Sequence, residues 1–242
     1  MKKNIGNITK IILVYLLLTI FIITFFFIPK SGEENTSLLP KQTSNNEINT
    51  SLEALVIESS PDINFQETRN KYQNNDIIAR LEIPNLFNIL ITQSTDNKYY
   101  LNHSLTKKKD TKGTEFMDYR NNIDSKQINI YGHNSRTYDI PFRKLENFLN
   151  KDYFNKNKYI LLQTELEKRI YEITAIKEVK DNEHMQIKLQ GSNYLKHLDK
   201  LVDNAYHYRE IKYDENSNIL VLQTCSYANK DSYYIIVAIE IN

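Results

Sequence analysis

Much of this chain consists of short runs in which apolar and polar residues alternate with a period of two. The first begins at Ala79, where Leu81 and Ile83 share one face while Arg80 and Glu82 share the other. Such alternation puts every second side chain on the same side of a β-strand, whereas a helix needs a period of about 3.6. The pattern therefore predicts a strand, and its recurrence predicts a mostly β domain.

Further β-runs follow along the chain. Together with the first, the predicted strands cover 79–83, 87–91, 116–119, 127–131, 158–163, 169–179, 219–225 and 233–241. The runs at 158–163 and 169–179 predict a hairpin around residues 164–168. Some eight short strands with few helices predict a closed or nearly closed β-barrel.

Two segments show helical rather than strand periodicity. One extends from residue 51 to about residue 72, and Pro61 marks a break within it. The other covers 192–206, where Leu195, Leu198 and neighbouring apolar residues recur at helical spacing. The sequence therefore predicts an N-terminal helix and a second helix inserted before the last two strands.

The N-terminal residues predict the location of the domain. Residues 11–28 carry no charge and are rich in Ile, Leu and Phe, which is near the length of a membrane-spanning helix. Lysines in residues 1–10 predict a cytoplasmic tail, and the polar residues 29–50 predict a flexible linker. A cleavable signal peptide is the alternative, but its apolar region is normally shorter and ends in small residues. We therefore expect a single-pass signal-anchor in the cell membrane, with 51–242 as an extracellular domain.

Composition excludes several kinds of protein. The formal net charge is +1 with acids and bases interspersed, whereas a nucleic-acid-binding chain usually carries a clustered basic excess. Cys225 is the only cysteine, so a disulfide framework within the chain is excluded. Neither the five histidines nor the pair Asp118 and Asp124 forms an array at metal-ligand spacing. The sequence therefore predicts neither a metal site nor a cofactor.

Cys225 and His133 are the candidate catalytic residues. Each stands at or just past the end of a predicted strand, where a rigid scaffold presents side chains to solvent. A thiolate nucleophile and an imidazole that transfers protons are the minimum groups needed to break an acyl bond through a thioester. The structural alternative is a buried cysteine and a packed histidine, which is the commoner setting of each residue taken alone. The other four histidines have no comparable setting, and we expect them to be surface or packing residues.

The motifs around this pair resemble those of the sortases, the cysteine transpeptidases of Gram-positive cell surfaces. The ordered set is YGHN at 131–134, FRKLENF at 142–148 and LQTC at 222–225. Residues 97–103 and 116–121 are similar to the class B branch in particular. The order also separates the chain from cell-wall hydrolases in which the cysteine precedes the histidine. The resemblance implies a closed sortase barrel with an N-terminal helix and a helix before the cysteine strand.

The resemblance also implies a mechanism and partners. Cys225 attacks the carbonyl after threonine in an LPXTG- or NPQTN-like sorting signal of a surface protein, which gives a thioacyl-enzyme. His133 protonates the departing amine and then deprotonates the acceptor amine, from a peptidoglycan cross-bridge or a lysine of another protein. The N–H of Ser226 or of another loop residue is expected to stabilise the oxyanion. The expected substrate-binding residues are Tyr131, Asn134, Thr224 and Ser226: Tyr131 and Asn134 flank His133 and are expected to orient it, and Thr224 to shape the groove. The structural alternative for Tyr131, Asn134 and Thr224 is a strand-end residue that satisfies local backbone hydrogen bonds.

One position departs from the family pattern. Sortases carry an arginine on the strand after the cysteine, and Tyr233 stands at that position here. A phenol donates only a neutral hydrogen bond, and the loss of one oxyanion donor can cost about 10²–10³ in rate. Three alternatives follow: Tyr233 is a weaker donor, Arg209 or Lys230 approaches from another loop, or the protein is slow or inactive.

Two other functions follow from this departure. A catalytically weak barrel could bind sorting signals without turning them over, and a hydrolase would pass the acyl group to water instead of an amine. One sequence predicts neither the sorting motif, nor the acceptor amine, nor the oligomeric state.

Overall fold

The computed structural model describes residues 60–180 and 189–241, which contain nine β-strands and three α-helices. The strands are β1 (Ile77–Ile83), β2 (Phe87–Thr92), β3 (Phe116–Met117), β4 (Gln127–Tyr131), β5 (Tyr159–Thr164), β6 (Lys168–Val179), β7 (His207–Tyr208), β8 (Ile219–Cys225) and β9 (Tyr233–Glu240). The α-helices are α1 (Phe65–Tyr72), α2 (Lys151–Lys156) and α3 (Gly191–Val202), and 3-10 helices cover Tyr99–Leu101 and Pro141–Leu149. All eight predicted strands are present, each within two residues of the predicted ends, and only the short β7 was not predicted.

The strands form one sheet that closes into a barrel. Its order is β5-β1-β2-β3-β4-β8-β9-β6-β7, and an antiparallel pairing of β5 with β6 joins the two sides. Eight strands therefore close the barrel, while β7 lies outside it beside β6. The long strand β6 allows this because its first half pairs with β5 and its second half with β7. The prediction of a closed barrel of about eight strands is confirmed.

The barrel has an inner core and a covered outer face. On β8, Leu220 and Leu222 belong to the inner core, whereas Ile219 and Val221 belong to a second cluster on the outside. Helix α3 contributes the other side of that outer cluster. Side chains alternate along a strand, so the odd-numbered residues of β8 lie on the outer face. The same holds for β9, where Ile235 is in the outer cluster.

Helix α3 ends earlier than the apolar spacing over 192–206 predicted. Its last residue is Val202, and Asp203 is already extended. Asn204 then adopts a positive φ of 54°, a region that asparagine tolerates better than most residues. This turn stops the helix although the apolar spacing continues to Ala205.

The predicted N-terminal helix falls only partly within the described residues. Helix α1 begins after Asn64, whose side chain accepts a hydrogen bond from the Glu67 N–H at 3.0 Å and caps the helix. Residues 51–59, the predicted linker 29–50 and the predicted span 11–28 lie outside the described residues. Of the helices that are described, none is long and apolar enough to cross a membrane.

The 3-10 helix Pro141–Leu149 supports the end of β4 from inside the barrel. Its Phe142 is fully buried in the inner core and lies directly against Gly132, the residue that follows β4. A Cβ at Gly132 would stand 2.6 Å from Phe142 Cγ and 2.8 Å from Glu115 Cγ, so only glycine allows so close an approach. The FRKLENF and YGHN motifs are therefore packed against each other.

Candidate active site

Cys225 ends the middle one of three adjacent strands. β8 pairs in parallel with β4 on one side and antiparallel with β9 on the other. The first six residues of β8 are buried, whereas Cys225 is exposed. Its odd position on β8 places its side chain on the outer face of the barrel. The strand therefore presents the thiol to solvent at its end.

The parallel pairing of β4 with β8 brings His133 beside Cys225. Tyr131, the last residue of β4, stands opposite Gln223, and His133 and Cys225 each lie two residues beyond that pair. The pairing extends past the strand, since the Gly132 N–H donates to Gln223 O at 3.1 Å. Parallel strands end at the same edge with backbones about 4.8 Å apart. Two residues distant in sequence therefore meet at neighbouring strand ends.

A backbone carbonyl sets the orientation of the His133 ring. Its Nε2 lies 2.6 Å from Leu101 O. A carbonyl oxygen only accepts hydrogen bonds, so Nε2 carries a proton and Nδ1 is the basic nitrogen of the neutral ring. Leu101 ends a 3-10 helix in the 97–103 segment, which explains why that segment accompanies the histidine motif.

Tyr233 stands directly opposite Cys225 in the antiparallel register. The next pair is hydrogen-bonded, because the Ser226 N–H donates to Ser232 O at 2.8 Å. Cys225 and Tyr233 are therefore a non-hydrogen-bonded pair. Their side chains share one face, with Cβ atoms about 4.5–5.5 Å apart, whereas the neighbouring Tyr234 is buried. Thiol, imidazole and phenol thus occupy adjacent strand ends, with the thiol in the centre.

Comparison with known proteins agrees with this geometry. A family model described as a sortase domain matches residues 81–241, more than half of the chain. The chain belongs to the sortase family. The prediction from the ordered motifs is confirmed.

The relatives of this sortase include several of class B. Sortase B of Listeria monocytogenes is 29% identical over 139 residues, and the match spans 56% of this chain and only 56% of that protein. Sortase B of Staphylococcus aureus is 23% identical over 171 residues, which cover 69% of this chain and 70% of that protein. The X-ray structure of Clostridium perfringens sortase B is 30% identical, with a TM-score of 0.68, and the match covers 73% of this chain and 100% of that one. The class B resemblance is confirmed.

Asn134 connects the histidine motif of this sortase to the end of the cysteine strand. Its Nδ2 donates to Cys225 O at 2.8 Å and to Glu146 Oε1 at 2.6 Å. The Tyr227 hydroxyl also donates to Asn134 O at 3.0 Å. The side chain is buried between the two strand ends, so Asn134 joins them together instead of lining an open groove.

The contact of Ser226 with the oxyanion or the substrate stays a prediction, although both of its donors already have partners within the protein. The Ser226 N–H donates to Ser232 O, and the Ser226 hydroxyl donates to Glu178 Oε1 at 2.6 Å. The residue is also buried. A bound peptide would therefore have to compete with these partners for either donor.

Tyr131 and Thr224, the other two predicted substrate-binding residues, are both buried in the described structure. The Tyr131 hydroxyl donates to Asp118 Oδ2 at 2.7 Å. Burial acts to raise the pKa of Asp118, but hydrogen bonds, first of all from Arg120, hold that pKa below its ordinary value. Thr224 is buried because it alternates with Cys225 and so points inward. Tyr131 therefore anchors β4 on an ionised carboxylate, and substrate contact stays a prediction for both residues.

The two alternative cations predicted for the missing arginine differ in their surroundings. Arg209 donates to Ile173 O and, at 2.7 Å, to Phe154 O. Ile173 pairs with Ala238, five residues along β9 from Tyr233, which is about 17 Å at the usual rise per residue. Arg209 is therefore held away from Cys225. Lys230 is exposed in the loop 226–232 and has no hydrogen bond or ion pair among the described residues.

Sequence reasoning missed a third cation, Arg136. Its guanidinium lies 4.5 Å from the centroid of the Tyr227 ring, and its Nη2 is 3.5 Å from Tyr227 O. Tyr227 is only two residues past Cys225. The YGHN motif ends before Arg136, and the loop that follows has no periodicity. No signal in the sequence therefore pairs Arg136 with the cysteine loop.

The electrostatics of the site favour a neutral thiol before substrate binds. Burial raises the pKa of Cys225 above its ordinary value, although the residue as a whole is exposed. Attack on a carbonyl therefore requires a base to take the thiol proton. Across residues 60–180 and 189–241, no group of three His, Cys, Asp or Glu side chains could hold a metal ion. His133 is the base that the strand geometry brings nearest.

Proposed function

We propose that this sortase is a cysteine transpeptidase that cleaves an LPXTG- or NPQTN-like sorting signal after threonine. It would transfer the threonyl end to an amine of a peptidoglycan cross-bridge or of a lysine on another protein. The observation that carries this proposal is the position of Cys225. His133 lies just past the end of the strand on one side of it, and Tyr233 begins the strand on the other side. All three therefore lie at the same end of the barrel.

The first half-reaction forms the thioester. The Cys225 thiol gives its proton to Nδ1 of His133, and the sulfur attacks the threonine carbonyl. The oxygen that gains negative charge accepts a hydrogen bond from the Tyr233 hydroxyl. The C–N bond then breaks, and the imidazolium returns the proton to the leaving amine. The products are a thioacyl-enzyme on Cys225 and a free amine.

The second half-reaction runs in the opposite sense. The incoming amine attacks the thioester carbonyl while His133 takes a proton from its nitrogen. The C–S bond breaks, and the sulfur of Cys225 receives the proton back as a thiol. The net result is an exchange of one amide bond for another, with no water consumed.

The test is a covalent adduct on Cys225. The full chain in detergent is incubated with a panel of LPXTG- and NPQTN-like peptides and analysed by mass spectrometry. We expect an added mass that corresponds to the peptide up to its threonine, and no such mass in Cys225→Ala. His133→Ala should retain the thiol but accumulate little adduct. No adduct with any peptide would refute the proposal.

A binding protein without turnover is the second candidate, because Tyr233 brings no positive charge to the oxyanion. It predicts that peptides bind, as measured by fluorescence anisotropy, while Cys225 gains no adduct. A hydrolase is distinguished at the next step. Added triglycine or a lysine-containing peptide changes the product of a transpeptidase, whereas a hydrolase yields the free acid regardless.

We further propose that residues 11–28 anchor the protein in the cell membrane with the catalytic domain outside. The support is the uncharged apolar run preceded by lysines. Expressed in a Gram-positive host, the full chain should sediment with membranes and be digested by protease added to protoplasts. Release of the protein by a high-salt wash, or protection from the protease, would contradict this location.

A further inference from the structure

The carboxylate of Glu178 collects four hydrogen bonds. The hydroxyls of Ser226 and Ser232 both donate to Oε1, at 2.6 and 2.5 Å. The Asn229 amide donates to Oε2 at 2.7 Å, and the Tyr206 hydroxyl donates to it at 3.0 Å. Three of these donors belong to the loop 226–232 that joins β8 to β9. One side chain on β6 therefore holds both ends and the middle of this loop.

The two serines that donate to Glu178 are the chain neighbours of Cys225 and Tyr233. Ser226 follows Cys225, and Ser232 precedes Tyr233. Both hydroxyls bond to one carboxylate oxygen, and the two serines are also joined by the N–H to O bond described above. The hairpin is thus fastened one residue beyond the point where thiol and phenol face each other.

The charge of Glu178 argues against a role in proton transfer. Burial acts to raise its pKa, but the hydrogen bonds, led by those of the two serines, lower the pKa to about 2. The group is therefore ionised at any pH at which the protein works, and each bond that it accepts is charge-assisted. Both oxygens are occupied by donors of the protein itself. Such a group can hold a loop in place but cannot act as the general base.

We infer that Glu178 is a positioning residue, which fixes the loop 226–232 so that Tyr233 and Cys225 keep the geometry needed for acyl transfer. This inference rests on the proposed function. A phenol has one hydroxyl on a rigid side chain, whereas a guanidinium has five N–H groups on a flexible one. The position of such a donor therefore depends on its backbone, and a misplacement of about 1 Å can cost about 10² in rate.

The test compares two carboxylates on the same strand. Glu178→Ala removes all four bonds, Glu178→Gln keeps one acceptor oxygen for the serines, and Glu172→Ala is the control. Glu172 is also on β6, but it lies 3.7 Å from Arg209, far from the cysteine. The full chain is assayed for kcat and KM of thioacyl formation, and amide hydrogen exchange is followed in 226–232.

We expect Glu178→Ala to lower kcat by about 10–10² with little change in KM and to speed exchange throughout the loop. Glu178→Gln should lie between Glu178→Ala and wild type in both measurements, and Glu172→Ala should match wild type in both. The inference is overturned if Glu178→Ala has the kcat of Glu172→Ala. A lower kcat with unchanged exchange in the loop would overturn it as well.

A failure of the proposed function would be recognised separately. If wild type forms no adduct with any peptide, alkylation of Cys225 by iodoacetamide replaces the peptide assay. A freed loop exposes the thiol, and the loss of a nearby negative charge favours the thiolate. Glu178→Ala should then be alkylated several-fold faster than Glu172→Ala. Equal rates of alkylation would overturn the positioning role without reference to sorting peptides.

Discussion

Tyr233 presents one neutral donor beside Cys225, where a guanidinium would bring both charge and several donors. We expect Tyr233→Phe to slow thioacyl formation by about 10²-fold, because the developing oxyanion loses its hydrogen bond. The melting temperature should hardly change, since the Tyr233 hydroxyl has no hydrogen bond to another described residue. The rate is measured by mass spectrometry under single-turnover conditions.

The neighbouring residue supplies a matched control for this prediction. Tyr234→Phe removes the same atom, but Tyr234 is buried and faces away from the thiol, so its rate should equal that of wild type. Tyr233→Arg should exceed wild type by restoring the charge. An unchanged rate in Tyr233→Phe would assign the oxyanion to another group. Arg136→Ala and Lys230→Ala would then show which one.

Glu115, whose side chain lies against Gly132, makes the free energy of unfolding depend on pH. Burial raises its pKa from 4.5 to about 7, against opposing hydrogen bonds from its own N–H and that of Phe142. Between these values the folded state binds more protons than the unfolded state, so the free energy of unfolding falls as pH rises. The contribution is fully present below pH 4.5, and about 3 kcal/mol of it is lost once pH passes the folded pKa.

We therefore expect Glu115→Gln to flatten this decline, because a neutral amide has no proton to lose. Urea unfolding at about pH 5 and about pH 8 measures the difference for each variant. Glu210→Gln, at an exposed position, should keep the slope of wild type. The same slope in Glu115→Gln would show that this carboxyl does not titrate between the two pH values.

The candidate catalytic residues could be proposed from the sequence because each lies inside a short motif. Cys225 and His133 stand in LQTC and YGHN, and the order of these motifs is visible without a structure. Glu178 could not be predicted, because its four donors assemble only once β6 has paired with β9. Leu101 holds His133 through a backbone carbonyl, and a carbonyl has no signature in the sequence.

At the scale of elements, the contact between the end of β4 and the 3-10 helix Pro141–Leu149 leaves no space for a Cβ atom at Gly132. We expect Gly132→Ala to lower the free energy of unfolding by about 1–3 kcal/mol, because its Cβ would overlap Phe142 and Glu115. His133 follows directly, so thioacyl formation should slow as well. Urea unfolding and the adduct assay measure the two effects.

A double-mutant cycle shows whether the overlap is the cause. Phe142→Ala removes the Cγ and Cδ2 atoms that the new methyl group would meet. In that background, Gly132→Ala should cost less than it does alone, and the difference is the coupling between the two sites. Additive costs would mean that Phe142 is not the obstacle.

Most strands could be predicted because alternation is local, and β4 and β8 have the predicted ends. Elements that depend on their surroundings could not. The two-residue β7 exists only because β6 extends past β5 and offers it an edge. The end of α3 is set by the turn at Asn204, whereas its apolar spacing alone predicted four more residues.

At the scale of the whole molecule, the sequence predicts that a barrel closes and that β5 pairs with β6 as a hairpin, but not which distant strands meet. The candidate site depends on the parallel pairing of β4 with β8, two strands separated by residues 132–218. Neither turn chemistry nor periodicity specifies such a long-range neighbour. The family motifs supplied it indirectly, because they implied that cysteine and histidine share a site.

Residues 60–62, which precede α1, provide a prediction for the whole molecule. Residues just before α1 are fastened to three strands: Arg80 donates to Pro61 O at 2.8 Å, Gln163 donates to Asp62 at 3.0 Å, and Lys168 donates to Ser60 O at 2.7 Å. Arg80 is buried, and its ion pair with Glu82 is longer, at 3.5 Å. The Pro61 carbonyl is therefore its principal partner.

We expect a chain of residues 63–242 to be less stable than one of residues 60–242 by about 1–3 kcal/mol, because a buried guanidinium loses its acceptor. Urea unfolding of the two chains measures this difference. Asp62→Asn in the longer chain is the control: it removes an exposed ion pair with Lys168, which should cost less than about 1 kcal/mol. Equal free energies of unfolding for the two lengths would show that residues 60–62 do not stabilise the domain. If Asp62→Asn alone lowered the free energy of unfolding as much as the truncation does, the stability would be assigned to the ion pair instead of to Arg80.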